Sequence, residues 1–254
     1  MRLKEKVTIV TGVASGIGKG SAILFAREGA KVVGGDINTT DGSRTIESIR
    51  AEGGQAVFVP TDVSNSDQVK NLVQQAVQSY GGVDVLFSNV GVVIGNPITE
   101  VSEEEWEQVM RVNLKSMYLC CRYVIPEMRK RGKGSIVLMS SANGIIAEPA
   151  LATYCASKAA IIGLVRSMAT DYGRHNIRVN CLCPTYTRTP LVEKWINSGV
   201  DASLSWEKVN SLHVLNRIAQ VEEIANVALF LASDESSIIT GTALVADGGL
   251  SCFR

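Results

Sequence analysis

A tyrosine and a lysine stand four positions apart in TYCASKAAIIGLVRSMA, residues 153–169, a run that is otherwise mostly small or aliphatic. On a helix, positions i and i+4 stack on one face, so Tyr154 and Lys158 point the same way. The pair is either chemical, a phenol whose proton is loosened by a neighbouring ammonium, or a surface stripe. Near the start of the chain, TGVASGIG places Gly12, Gly16 and Gly18 between an apolar run and an amphipathic one. Glycines let a backbone turn tightly and approach a pyrophosphate, which the free N–H groups and positive dipole end of a following helix attract. The same turn also serves as a plain strand-to-helix connection. Asp36 follows about 20 residues later, where a carboxylate can accept both ribose hydroxyls of an adenosine, or can cap the next helix as a turn aspartate. A carboxylate repels a 2′-phosphate, and neither Ser15 nor Ile37 offers a cation to hold one, which favours NAD over its phosphorylated form.

These residues can meet only if the elements carrying them bring strand ends together. Short β-branched runs alternate with amphipathic stretches from the beginning: KVTIV, GKGSAILFARE, KVVGGD, DGSRTIESIRAE, AVFVP. That alternation predicts βαβ units and a parallel sheet. It continues with a helix near 66–80, a strand at VDVLFS, a long helix over about 103–131 and a strand at GSIVLMS. After the Tyr154 helix come a strand at IRVNCL, a helix near 221–232 and a last strand near TALVAD. About seven mainly parallel strands with no linker predict one α/β domain over residues 1–254, a doubly wound, Rossmann-like sheet with helices on both faces.

Ser102 with Glu105 forms a capping box for the long helix, and Lys130, Arg131 and Gly132 close it. Its middle, MYLCCRYVI, is apolar almost all round, as is the Tyr154 helix, so each needs a second packed face. Pairing across a two-fold axis in an oligomer would supply it, and so would burial beneath the segment 185–215 of the same chain. That segment is the one long irregular stretch, and its aromatic and aliphatic content predicts a lid over a pocket.

Bulk composition narrows the function further. Apolar residues make up 46% of the 254 and charged residues 20%, an ordinary globular profile. Lys plus Arg and Asp plus Glu both total 25, so no global field or basic tract marks a nucleic-acid partner. The N-terminal apolar run is too short for a secretory segment and no window reaches a membrane span, so a soluble, cytoplasmic protein is expected, with no membrane partner. Six cysteines without paired C-x-x-C spacing read as reduced, buried small hydrophobes. With only His175 and His213 present, no metal site and no Ser-His-Asp triad is expected.

Taken in order, TGVASGIG, Asp62-Val63, Asn89-Val90-Gly91, Asn113, Ser141 and Tyr154-x-x-x-Lys158 resemble the short-chain dehydrogenase/reductase family over essentially the whole chain. The resemblance implies that Tyr154 is the acid/base, that Lys158 holds the nicotinamide ribose and lowers the tyrosine's pKa, and that Ser141 orients the substrate oxygen. It implies that Asn113 holds a water linking Lys158 to solvent. The family's spacing of thirteen residues to the tyrosine selects Ser141 rather than Ser140. The cofactor-binding set implied is Gly12, Ser15, Gly16, Ile17, Gly18, Asp36, Ile37, Asp62, Val63, Asn89, Gly91, Tyr154, Lys158, Pro184, Thr187 and Thr189. A homotetramer built on the two long helices is implied as well.

Electrostatics supports the pair independently. A free tyrosine titrates near 10, so work near neutrality asks for a fall of about 3, roughly 4 kcal/mol. An ammonium about 4 Å away at an effective dielectric near 20 supplies on the order of 4 kcal/mol. The chain departs from the family pattern twice. Pro184-Thr185 stands where Pro-Gly is usual, and SNVG puts Val90 where a smaller residue usually packs. For the substrate, Val93 and Ile94, Asn143 and Glu148, and Tyr186, Trp195, Trp206 and His213 are the pocket candidates. The function expected is hydride transfer between NAD and a small secondary alcohol or ketone. The rivals are an NADPH-using 3-oxoacyl carrier-protein ketoreductase and a cofactor-binding regulator without turnover.

Overall fold

Runs such as VTIVT and VLFS are buried along their whole length, as strands of a parallel sheet covered on both faces must be. The computed structural model describes residues 1–197 and 205–253, leaving out the side chains of Trp195 and Phe253. The first half runs β1 (Val7–Thr11), α1 (Gly16–Arg27), β2 (Lys31–Asp36), α2 (Thr39–Ala51), β3 (Gln55–Pro60), α3 (Ser66–Tyr80) and β4 (Val85–Ser88). The second runs α4 (Glu103–Met110), α5 (Ser116–Arg131), β5 (Gly134–Met139), α6 (Ala152–Tyr172), β6 (Ile177–Pro184), α7 (Pro190–Asn197), α8 (Trp206–Ser211), α9 (Val221–Ala232) and β7 (Ala243–Ala246).

The strands form one seven-stranded sheet in the order β3-β2-β1-β4-β5-β6-β7, and every neighbouring pair is parallel. Helices α1, α2 and α9 pack together on one face; α3, α5 and α6 cover the other. The direction of travel reverses between β1 and β4, and the crevice beyond the carboxyl ends of those strands is where such sheets bind ligands. β4 starts two residues later than VDVLFS suggests. The Asp84 carboxylate accepts from Val7 N at 2.8 Å and takes two bonds from Arg131, tying β1, β4 and the end of α5.

Two expectations change in detail. The long helix is not uniformly α-helical: α4 and α5 are joined by a π turn at Arg111–Lys115, and Asn113 lies inside it. A π turn carries one extra residue per turn, which a 3.6-residue apolar stripe does not reveal, and such turns gather at functional sites. The segment 185–215 contains α7 and α8, so it is not irregular throughout; residues 198–204 lie outside the described residues. Ile196, Val209 and Ile218 form a small core of their own there, with Tyr186, Val192 and Trp206 packed against it.

Most of MYLCCRYVI faces the sheet: Met117, Leu119, Cys120, Cys121, Val124 and Ile125 are buried in this one chain. The outward face keeps Tyr118, which borders a surface groove of about 700 Å3 shared with Met110, Leu114, Ala160, Gly163 and Leu164. Four cysteines are buried, but Cys155 is half-buried and Cys252 exposed, contrary to the expectation of burial for all six. No described helix is long and apolar enough to cross a membrane.

Candidate active site

The glycine turn sits at the end of β1, in the crevice. Gly12 has φ +79°, a left-handed conformation that favours glycine, and a Cβ on Gly18 would lie 2.0 Å from the Gly12 carbonyl oxygen. A side chain at either position would fill the cradle. Ser15 precedes α1 without making a side-chain cap, so the first amides of α1 have no side-chain acceptor from it. That leaves donors for an anion. Asn89 and Val90 lean on the turn: built Cβ atoms on Gly12 would stand 2.8 Å from Asn89 Nδ2 and 3.3 Å from Val90 Cγ2. Gly12 thereby makes the room that Val90 takes up.

Asp36 ends β2, with Ile37 exposed beside it. Its carboxylate accepts from Ala14 N at 2.9 Å and Asn38 N at 2.8 Å. Each oxygen thus has one backbone donor and retains acceptor capacity. The turn role and a ribose-binding role are therefore compatible. Asp62 lies beyond the end of β3, its carboxylate accepting from Ser64 N at 2.8 Å, while Val63 is buried. On the other side, Thr189 crosses the glycine turn; a Cβ on Gly16 would stand 3.1 Å from its methyl group. Thr187 is buried and donates to Thr185 O at 3.0 Å. Pro184 ends β6, paired with Ala246. The glycine cradle, uncapped α1 amides and carboxylate at the end of β2 fit a dinucleotide.

At the centre, the structure brings Ser141, Tyr154, Lys158 and Asn113 together. The adjacent serines point different ways. Ser140 Oγ donates to Lys158 O at 2.8 Å, whereas the Ser141 hydroxyl is set against the Tyr154 phenol and accepts from Asn143 N at 3.1 Å. Lys158 is buried and donates from Nζ to Met139 O at 2.9 Å, with the same Nζ 5.5 Å from the centroid of the Tyr154 ring. Asn113 is fully buried: Oδ1 accepts from Val92 N at 2.8 Å, and Nδ2 donates to Val92 O at 2.9 Å and Ser157 Oγ at 3.0 Å. Gly91, held next to it, is the close neighbour of Lys158; a Cβ there would lie 3.2 Å from Nζ.

Charge balance differs from the Coulomb argument made on sequence alone. Burial pushes the Tyr154 phenol up to about 12, against the lowering effect of the Ser141 hydroxyl, and the Glu148 carboxylate adds to the rise. Burial likewise brings Lys158 down to about 8. The ammonium meets the ring and a carbonyl, so desolvation outweighs its pull on the phenol.

On the pocket side, Ile94 and Tyr186 are half-buried. Asn143 is buried and donates to Glu148 Oε2 at 3.0 Å; Tyr186 donates to both Glu148 oxygens at 3.2 Å. His213 is buried with both ring nitrogens engaged, Nε2 with Thr185 Oγ1 at 2.6 Å and Nδ1 with Val209 O at 2.9 Å. This ties α8 to the end of β6 and leaves the imidazole no nitrogen for a substrate. Thr185, in the usual glycine position, supplies the other half of that tie. Trp206 packs in the small core of its segment, with Arg188 4.8 Å over its ring, so it is core rather than an open platform. The side chain of Trp195 lies outside the described residues. Ser157, which accepts from Asn113 and donates to Tyr154 O at 2.7 Å, went unnoticed in the sequence. Its position directly before Lys158 and after Ala156 was the available signal.

A family model described as enoyl-(acyl carrier protein) reductase matches residues 12–251. The chain is 40% identical to a 3-oxoacyl-acyl-carrier-protein reductase of Thermotoga maritima, over 98% of this chain and 99% of that one. It is 37% identical to a cyclopentanol dehydrogenase of Comamonas testosteroni, over 98% of each. Among solved structures, a short-chain dehydrogenase/reductase from Burkholderia xenovorans superposes with a TM-score of 0.94 at 36% identity, covering 99% of this chain and 98% of that one.

Proposed function

This chain belongs to the short-chain dehydrogenase/reductase family, and from that premise we propose that it moves a hydride between NAD and a secondary alcohol or ketone, with Tyr154 as general acid/base. The observation that carries the reading is the Ser141 hydroxyl set against the Tyr154 phenol, with the buried Lys158 ammonium 5.5 Å from the centroid of the same ring. A bound nicotinamide supplies the hydride acceptor or donor. Gly12, Ser15, Gly16, Ile17 and Gly18 hold the pyrophosphate, Asp36 and Ile37 with Asp62 and Val63 the adenosine end, and Asn89, Gly91, Pro184, Thr187 and Thr189 the nicotinamide end.

The remaining steps belong to the chain's own groups. Ser141 Oγ orients the substrate oxygen. In reduction Tyr154 gives its proton to that oxygen; in oxidation its phenolate takes the hydroxyl proton. Lys158 binds the nicotinamide ribose and its ammonium supports the phenolate, while Asn113 is assigned the water that links Lys158 to solvent. With the phenol pushed up to about 12, Tyr154 is protonated at neutral pH in the protein alone. Reduction therefore starts with its acid in place, and oxidation gains as pH rises.

Segment 185–215 is proposed as the lid over the substrate, and the outward groove on α4, α5 and α6 as the contact that builds a homotetramer. The unpaired cysteines suit a reducing, cytoplasmic setting. Tyr154→Phe tests the chemistry, since it removes the proton and little else. It should lower kcat about 10²–10⁴-fold in both directions with melting temperature unchanged; an unaltered rate overturns the assignment. The Thermotoga relative favours a second reading, an NADPH-using ketoreductase of 3-oxoacyl carrier-protein substrates. Asp36 argues against it, and the ratio of kcat/KM for NADH and NADPH decides.

A further inference from the structure

Glu148 is the carboxylate nearest the reacting groups in the hydrogen-bond line, and two loops hold it. From the loop after β5, Asn143 takes its backbone N–H to Ser141 Oγ and its side-chain amide to Glu148 Oε2. From the loop after β6, Tyr186 donates its hydroxyl to the same carboxylate. Hydrogen bonds thus run from Ser141, whose hydroxyl is set against Tyr154, through Asn143 to Glu148 and Tyr186. Asn143 is itself buried, so its bonds fix the carboxylate's position. The segments that follow the strands at this end of the sheet expose apolar side chains: Val93 after β4, Ile145 after β5 and Leu191 in α7 after β6. A negative charge held in place by two loops rejects anions and accepts hydrogen bonds.

The geometry points to Glu148 as a specificity residue that receives a second hydroxyl of the substrate, so that the alcohol is an uncharged diol with apolar carbon around it. The inference rests on Ser141 and Tyr154 being the site of alcohol oxidation. A substrate hydroxyl near Tyr154 places a neighbouring hydroxyl on the Asn143–Glu148 side, where the carboxylate gives it a charge-assisted bond. A substrate carboxylate or phosphate in the same place meets repulsion. The same charge also opposes ionisation of Tyr154, which gives a readout that a purely structural role would not move.

The test compares wild type with Glu148→Gln on cyclohexanol, 1,2-cyclohexanediol and 3-hydroxybutyrate, using NAD+ and NADP+ separately. Wild type should prefer the diol to cyclohexanol, and Glu148→Gln should lower the diol-to-cyclohexanol ratio of kcat/KM about tenfold, the worth of one charge-assisted hydrogen bond. The loss should fall mainly on KM, and activity on 3-hydroxybutyrate should rise. The alkaline rise in oxidation rate should move to lower pH in the variant, whose other titratable neighbours of Tyr154, Cys155 and Lys158, are intact. Because the ratio is taken on one preparation, partial unfolding cancels. An unchanged ratio with cyclohexanol activity present overturns the role of Glu148 alone. Inactivity of wild type on every alcohol and on the matching ketones overturns the oxidoreductase reading together with it.

Discussion

Asp36 shows two uses of one side chain meeting at a single position. Its oxygens hold the backbone of Ala14 and Asn38, and its charge faces the place assigned to the adenosine ribose. Asp36→Ala removes both. The looser turn should raise KM for either cofactor, but only the lost charge should change their ratio. The preference for NAD+ over NADP+, measured as kcat/KM, should fall by about tenfold or more, in line with removal of one close like-charge repulsion; an unchanged ratio would mean that the turn is its whole role. Gly12, Asp36, Tyr154 and Lys158 stood out in the sequence only as parts of one ordered set, each alone having a plain structural alternative. His213 did not. Its partner Thr185 lies 28 residues away, and nothing local in LNRIAQ or SLHVL distinguishes a buried tie from a pocket wall.

Elements were read most clearly where periodicity and caps agree. The Ser102–Glu105 box is present with both of its bonds, and α3 and α9 begin and end at the residues expected of them. The π turn at Arg111–Lys115 was invisible because its cause is tertiary: Asn113 reaches sideways to Val92 and Ser157. The Asp84–Arg131 pair is of the same kind, joining three elements that sequence places far apart. Burial pushes the Asp84 carboxyl up, but Arg131 and the Val7 N–H together outweigh it, and the net pKa lies below the ordinary value. A carboxylate lowered in this way stabilises the fold above its unfolded pKa near 4 and stops doing so as pH falls through the folded value. Arg131→Gln should cost about 1–3 kcal/mol at pH 7, read by chemical denaturation at fixed protein concentration. The gap between variant and parent should shrink towards pH 3; a gap independent of pH would mean that Arg131 acts through packing only.

At the scale of the whole molecule, the parallel sheet with helices on both faces followed from the alternation of runs. MYLCCRYVI is apolar mainly because its own sheet covers it, so the case for association rests on the groove beside Tyr118. Gly163 borders that groove, and a Cβ there would meet nothing within 4 Å in the single chain. Gly163→Glu should therefore be accommodated by one subunit and block close packing of two. Sedimentation should give a tetramer for the parent and smaller species for the variant; equal coefficients would place any interface elsewhere. The strand order also governs how the chain is made. Val10 pairs with Phe87, 77 residues further on, so one side of β1 has no partner until β4 has been synthesised. At about 5–20 residues per second that wait is roughly 4–15 s, during which a bare VTIVT edge is open to other nascent chains. Yield in a cell should therefore depend on holdase chaperones acting on the first ninety or so residues, well before any active site exists.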